Sequence, residues 1–282
     1  MSRQHKFAYF GTPQVARDTL AALLAAGFVP ALVVTSPDAP KGRGLALAPT
    51  PVRELAEASG IPVLMPAKLD EKALADIIGY GCDYAVVVAY GKIFPDALIG
   101  AFPLGALNVH YSLLPKYRGA APMEGALLAG EKETGVTVQK MAHELDAGDI
   151  LAQETLPIGA DETGRELRPR LIEAGARLLV ETLPRFEAGE IVPTPQDPAR
   201  ATHFGKYEKS AGELSLDAPA EENWNKYRAF ADTIGTHFFK DGLRVKVTRA
   251  SLQDGKFVIE RVVPEGRQEI DYGEFVAHAR GT

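Results

Sequence analysis

The stretch FAYFGTPQVARDTLAALLAAGFVPALVVT, Phe7 to Thr35, changes its hydrophobic period twice, and that change decides how the rest of the chain is read. Phe7 to Phe10 is a short aromatic and apolar run that stops at Gly11-Thr12-Pro13. Val15, Leu20, Leu23 and Leu24 then recur at helical spacing until Gly27, and Val29 to Thr35 is a second β-branched run. Strand, tight turn, helix and strand form the unit of a parallel sheet, because a parallel neighbour is reached only through a crossover. Beyond the Pro- and Gly-rich loop SPDAPKGRGLALAPTP, the alternation continues with a helix over Arg53 to Ser59 and a strand over Ile61 to Met65. A helix over Glu71 to Gly79 and an unbroken apolar strand over Tyr84 to Ala89 follow. Such a strand suits a sheet covered on both faces. The class expected is α/β with an open sheet, in which ligands sit just after the carboxyl ends of strands, near a topological switch point.

Downstream, Leu107 to His110 ends a fifth strand and Met123 to Leu128 reads as a helix. Gly135 to Met141 and Ile150 to Leu156 alternate like paired strands, and Glu166 to Phe186 is a long amphipathic helix. Pro193, Pro195 and Pro198 then break all periodicity. The expected organisation is an α/β domain over residues 1–188, a linker over 189–205 and a small β-rich domain over 206–282. The last contains a helix over Asn223 to Ala231 and strands over Leu243 to Arg249 and Lys256 to Val263, separated by Asp254-Gly255.

With 282 residues, 46% of them hydrophobic, the chain can bury a substantial core. No apolar stretch approaches the roughly 18 residues that span a bilayer, and the first ten residues carry too short an apolar run for a secretion signal, so a cytoplasmic protein without membrane contact is expected. Cys82 is the only cysteine, which excludes an internal disulfide and a cysteine-based zinc site, and it reads as a core residue. A net charge of −6 argues against sequence-blind nucleic-acid binding through a basic coat. Residues 205–282 carry 12 Lys and Arg against 13 Asp and Glu, so the C-terminal part is charge-balanced.

Gly11-Thr12-Pro13 lacks the spacing of a dinucleotide fingerprint or a P-loop and reads first as a tight strand-to-helix turn. In NVHYSLLPKYRGAAP, Asn108 to Pro122, strand alternation puts Asn108 and His110 on one face with Val109 on the other. An amide donor and an imidazole that can meet one carbonyl oxygen suit acyl transfer, although an isolated Asn-x-His is more often a hydrogen-bonded structural pair. Asp146, in His143-Glu144-Leu145-Asp146-Ala147-Gly148-Asp149, is the candidate partner for His110, with a turn-holding Asp as the alternative. Ser112 stands in Tyr-Ser-Leu without the G-x-S-x-G turn of a hydrolase nucleophile. The other His residues show no ligand spacing, so no metal is expected.

Taken together, these segments resemble the formyltransferases that use 10-formyltetrahydrofolate. The resemblance is carried by Asn108-Val109-His110-Tyr111-Ser112-Leu113-Leu114-Pro115 with Asp146-Ala147-Gly148-Asp149. It is also carried by FGTP at Phe10 to Pro13, KGRG at Lys41 to Gly44, VVVAYG at Val86 to Gly91 and YRGAAP at Tyr117 to Pro122, in order over residues 7–205. These last four point to the branch whose acceptor is the amino group of methionyl initiator tRNA, used in translation initiation. The resemblance implies a Rossmann-like formyltransferase catalytic domain followed by a small, shortened β-rich (OB-like) C-terminal domain that helps hold the tRNA, in a monomer.

By carry-over, Asn108, His110 and Asp146 form the catalytic set. Ser112, Leu113, Leu114 and Pro115 contact the folate, and the backbone of Ala89, Tyr90 and Gly91 lines the pterin pocket. Arg43, with Lys41, reaches the acceptor end of the tRNA. The sequence departs from the family pattern at Tyr111, where a small residue is common and the pocket shape is put in question. It departs again in LALAPTP after Arg43, which lacks the usual extra lysines, and in a short C-terminal module where Ala250 to Phe257 reads as a deletion of barrel strands. Two rivals remain: a folate-dependent N-formyltransferase acting on an amino sugar attached to a nucleotide, and a non-catalytic folate or tRNA binder.

Overall fold

The computed structural model describes residues 5–41 and 46–279. Its first elements are β1 (Phe7–Gly11), α1 (Gln14–Ala25), β2 (Leu32–Val34), β3 (Ala39–Lys41), β4 (Ala46–Ala48), α2 (Pro51–Ala58), β5 (Val63–Leu64) and α3 (Glu71–Ile78). There follow β6 (Tyr84–Val88), α4 (Asp96–Ile99), β7 (Gly105–His110), α5 (Pro122–Leu128), β8 (Glu133–Lys140), β9 (Ile150–Pro157) and α6 (Gly164–Glu187). The C-terminal portion adds α7 (Ala220–Phe230), β10 (Thr236–Lys240), β11 (Leu243–Gln253), β12 (Lys256–Pro264), β13 (Ile270–Asp271) and α8 (Tyr272–Ala279). The chain divides into two compact units, one of residues 1–118, 135–155 and 171–202, the other of residues 119–134, 156–170 and 203–282.

The first unit is built on a sheet of order β5-β2-β1-β6-β7-β8-β9, parallel from β5 to β7 and antiparallel between β7 and β8. The chain winds outward from β1 to β5, then returns to the other side of β1 at β6, which makes the gap beyond the ends of β1 and β6 the switch point. Every residue of β1 and β6 is buried, the burial expected of central strands with helices on both faces. Phe10 sits edge-to-face with Tyr90, Phe94 and Phe102 in this core. Cys82 is buried there too, and burial pushes its thiol up to about 11.

Local chemistry sets the helix starts. Thr50 accepts from Arg53 N at 3.1 Å with Pro51 at the first helical position, and Asp70 accepts from Ala73 N at 3.0 Å. The second strand is shorter than its apolar run, beginning after Pro30, which has no N–H to donate. In the proline-rich stretch after α6, Thr194 exchanges backbone hydrogen bonds of 2.8 and 2.9 Å with Ile150, and Gln196 is buried.

In the second unit β10, β11, β12 and β13 pair antiparallel in sequential order. One face of that sheet packs Phe238, Val245, Val247 and Val262 with Trp224 and Tyr227 of α7 and Phe275 of α8. The run from Ala250 to Phe257 lies inside the continuous β11–β12 hairpin, which closes through Asp254 and Gly255 at φ +47° and +72°. No helix of the described residues is long and apolar enough to cross a membrane.

Candidate active site

The site begins with strand register. Asn108 of β7 stands opposite Gln139 of β8, and His110 opposite Thr137, so these four residues share one face of the sheet. Val87 of β6 pairs with Asn108, which brings the chain leaving β6 alongside the end of β7. His110 is 5% exposed, and its Nε2 lies 2.9 Å from the Tyr117 carbonyl oxygen. A carbonyl can only accept, so Nε2 carries the proton. Nδ1 then faces Asp146 Oδ2 at 3.6 Å. That separation exceeds a hydrogen bond, so an oxygen or proton of a third group can be shared between the two.

Asp146 follows β8 in a loop with φ +53°, a left-handed conformation that Asp and Asn adopt more readily than other non-glycine residues. Its Oδ1 accepts from Gln139 Nε2 at 3.0 Å, which turns the carboxylate toward His110. Asn108 is half-buried, and its side chain has no hydrogen-bond partner among the described residues. The structure thus brings Asn108, His110 and Asp146 together, and adds Gln139 as the hinge between the strand and the loop. Gln196 and Arg118 support the loop from behind. None of the three was singled out from sequence.

The loop turns where a side chain cannot fit. A Cβ on Gly148 would lie 1.7 Å from the Lys140 carbonyl oxygen, on rigid backbone at the end of β8. We expect Gly148→Ala to lower stability by about 3 kcal/mol or more, read as a shift in denaturant midpoint at unchanged slope. At the rim, His143 Nδ1 meets Asp96 Oδ2 of α4 at 2.7 Å, and this carboxylate raises the imidazole above its usual range.

The residues expected to contact folate divide into two kinds. Ser112 is fully buried and its Oγ donates to the Lys116 carbonyl at 2.6 Å, while Leu114 is 3% exposed. Both side chains face inward and shape the loop, which leaves the backbone of this segment as the part of them that can meet a ligand. The loop is fastened by Thr137, whose Oγ1 donates to Ser112 O at 2.7 Å and accepts from Leu114 N at 3.2 Å and Gln153 Nε2 at 2.9 Å. Leu113 and Pro115 are half-buried and keep surface for a ligand.

Beyond β6, Ala89 at φ +46° and Gly91 at φ +81° are exposed in a backbone conformation unusual for alanine. Strain of that kind collects at ligand sites. Tyr90 differs: its ring is in the core at 2% exposure, where burial pushes the phenol up to about 12, so only its backbone is placed to meet a ligand. Thr12 of the Gly-Thr-Pro turn donates to the Tyr90 carbonyl at 3.2 Å, giving that turn a role in holding the strand end. Arg43 lies outside the described residues; Lys41 closes the β3–β4 pairing opposite Ala46. Among the described residues no group of three or more His, Cys, Asp or Glu is arranged to hold a metal.

Tyr111 lies on the face opposite His110, against Gly175 of α6, where a Cβ would come within 3.0 Å of the Tyr111 ring. This departure from the family pattern is therefore matched by a glycine behind the sheet, on the face away from His110. Tyr111→Ala should cost about 3 kcal/mol of stability while the turnover of the folded fraction stays within twofold of wild type. Thermal unfolding and active-site-normalised rates check the two halves separately.

The sequence matches the formyl transferase family over residues 5–183. It is 44% identical over 248 residues to the methionyl-tRNA formyltransferase of Heliobacterium modesticaldum, covering 88% of this chain and 78% of that one. It is 38% identical over 298 residues to the enzyme of the same name from Symbiobacterium thermophilum, covering 96% and 91%. Among solved structures, the N-formyltransferase of Helicobacter canadensis, in complex with folinic acid and dTDP-3-aminofucose, superposes with a TM-score of 0.67 at 19% identity over 89% of each chain. That likeness concerns the fold; the family rests on the sequence matches. Through them and the site at the end of β7, the chain belongs to the formyl transferase family, alongside methionyl-tRNA formyltransferases.

Proposed function

We propose that this chain transfers the formyl group of 10-formyltetrahydrofolate to the amino group of methionine on initiator tRNA, and that the transfer occurs on the face carrying Asn108, His110 and Asp146. The observation that carries this reading is His110, fixed by the Tyr117 carbonyl on one nitrogen and facing Asp146 on the other, next to an Asn108 amide with no partner of its own among the described residues. The 44% and 38% identities to methionyl-tRNA formyltransferases support the choice of acceptor.

In the reaction, the neutral amine attacks the formyl carbon, the new C–N bond forms and the formyl oxygen takes up negative charge. Asn108 donates to that oxygen from one side of the strand end, and His110, with its ring doubly protonated, donates from Nδ1 on the other. Asp146 accepts the proton that the attacking nitrogen sheds, directly or through water, and His110 relays it as the bond from carbon to the folate N10 breaks and N10 is protonated. Leu113, Pro115 and the exposed backbone at Ala89 and Gly91 supply the wall for the folate. Residues 206–282 assist with tRNA, through a surface whose near-zero net charge leaves most of the phosphate attraction to other parts of the chain.

The test offers 10-formyltetrahydrofolate with methionyl initiator tRNA in one reaction and with amino-sugar nucleotides in another. Formylation of the tRNA is expected. Formylation of the sugar alone would move the chain to the sugar-modifying branch, and no transfer to either would leave a binding protein.

A further inference from the structure

The Asp146 loop has to hold a carboxylate against His110 from a left-handed backbone position, and β8 alone does not explain how it does so. Gln196, which is 50 residues further along the chain and 9% exposed, reaches across to it. Its Nε2 donates to the Asp146 carbonyl at 2.8 Å and to the Gly148 carbonyl at 2.7 Å. An amide nitrogen has two protons, and these two carbonyls, much closer than the Gln139 side-chain oxygen at 3.5 Å, use both. The Gln196 oxygen is used as well: Arg118 Nε and Nη2 donate to it at 3.1 and 2.9 Å. Carbonyls cannot donate and a guanidinium cannot accept, so the orientation of the amide follows from its partners.

Arg118 is itself 4% exposed, and its Nη1 reaches Glu144 Oε1, two residues before Asp146, at 3.1 Å. The Glu144 side chain is 70% exposed, which makes that direct pair the weaker hold. The buried path through Gln196 is the stronger, since water does not compete for its hydrogen bonds. The loop is thus gripped at Glu144, Asp146 and Gly148 by two side chains that contact neither Asn108 nor His110.

We propose that Gln196, braced by Arg118, is a positioning residue for formyl transfer: it fixes the backbone of Asp146 so that the carboxylate stays on His110. The inference rests on the functional reading above and adds to it a residue from the proline-rich stretch after α6. Gln196→Met keeps the length of the side chain and removes both donors. Gln196→Glu keeps an oxygen for Arg118 and turns a second oxygen against the two loop carbonyls.

Both variants should lower kcat for transfer to methionyl initiator tRNA by about 10- to 100-fold, the usual effect of a misplaced catalytic group, with KM for donor and acceptor within about threefold. Hydrogen exchange of the amides in 144–149 should accelerate by about tenfold or more, while β6 and β7 keep their protection. A kcat per folded molecule within twofold of wild type would overturn the proposal, as would a loss carried wholly by KM or faster exchange spread evenly over the sheet. If wild type formylates no acceptor, the functional reading fails. The exchange measurement then still decides whether Gln196 holds the Asp146 loop, and unchanged exchange there rejects it.

Discussion

Asp146→Asn yields a folded protein whose turnover in formyl transfer is lower by about 10³-fold, within the range that a positioned acid or base contributes. The expectation follows from hydrogen-bond direction. Gln139 Nε2 donates to Oδ1 at 3.0 Å, so an asparagine keeps its oxygen there and turns its NH₂ toward His110 Nδ1. Nε2 already carries a proton for the Tyr117 carbonyl, so Nδ1 becomes an acceptor from the new amide. The ring is then locked in one neutral tautomer and can no longer donate to a formyl oxygen or pass on a proton. The backbone is spared, because Asn tolerates φ +53° as well as Asp does. Asp146→Ala would confuse the result by adding backbone strain. Steady-state rates with a melting curve on the same preparation check the prediction, and a kcat within tenfold of wild type would contradict it.

Asn108→Ala loses about 10²- to 10³-fold in rate, the cost of removing one oxyanion donor. Here the stability argument is as firm as the kinetic one. The Asn108 side chain has no hydrogen-bond partner among the described residues and is half-buried, so truncation strands no buried group. A change in stability within about 1 kcal/mol is expected, and the loss should fall on kcat more than on KM, since the donor acts on charge that exists only in the transition state. A raised KM with unchanged kcat would mean that Asn108 binds the ground state and that the oxyanion is held elsewhere.

The parallel half of the sheet was legible because buried strands cannot alternate. Tyr84 to Val88 is apolar throughout, and the helices between such runs repeat at 3.6-residue spacing. Strand ends were less legible where position in the sheet governs length. Val63 and Leu64 pair only with β2, and their five-residue apolar run supports just two residues of ladder. Thr236 to Lys240 was passed over despite Asp241-Gly242 beyond it, whose φ of +51° and +77° close a tight hairpin onto β11.

Asn108 and His110 could be paired from strand periodicity alone, but Asp146 needed the resemblance, since nothing local tells a catalytic Asp from one that caps a turn. Gln139 and Gln196 escaped altogether, and Arg118 was read only as part of YRGAAP, without a role of its own. Glutamine does not titrate, so it gives no charge signal. The contacts that give these residues meaning span 50 residues from Gln196 to Asp146 and 78 from Arg118 to Gln196. The proline-rich composition around Gln196 further disguised a buried amide as tether.

The measurement closest to the central claim is a single-turnover transfer of labelled formyl from 10-formyltetrahydrofolate to methionyl initiator tRNA by wild type and by the double variant Asn108→Ala, Asp146→Asn. Catalysis on this face of β7 predicts rapid transfer by wild type and, with folate binding retained, a rate for the double variant at least about 10³-fold lower. Transfer by the double variant within tenfold of wild type would place the chemistry somewhere else on the molecule.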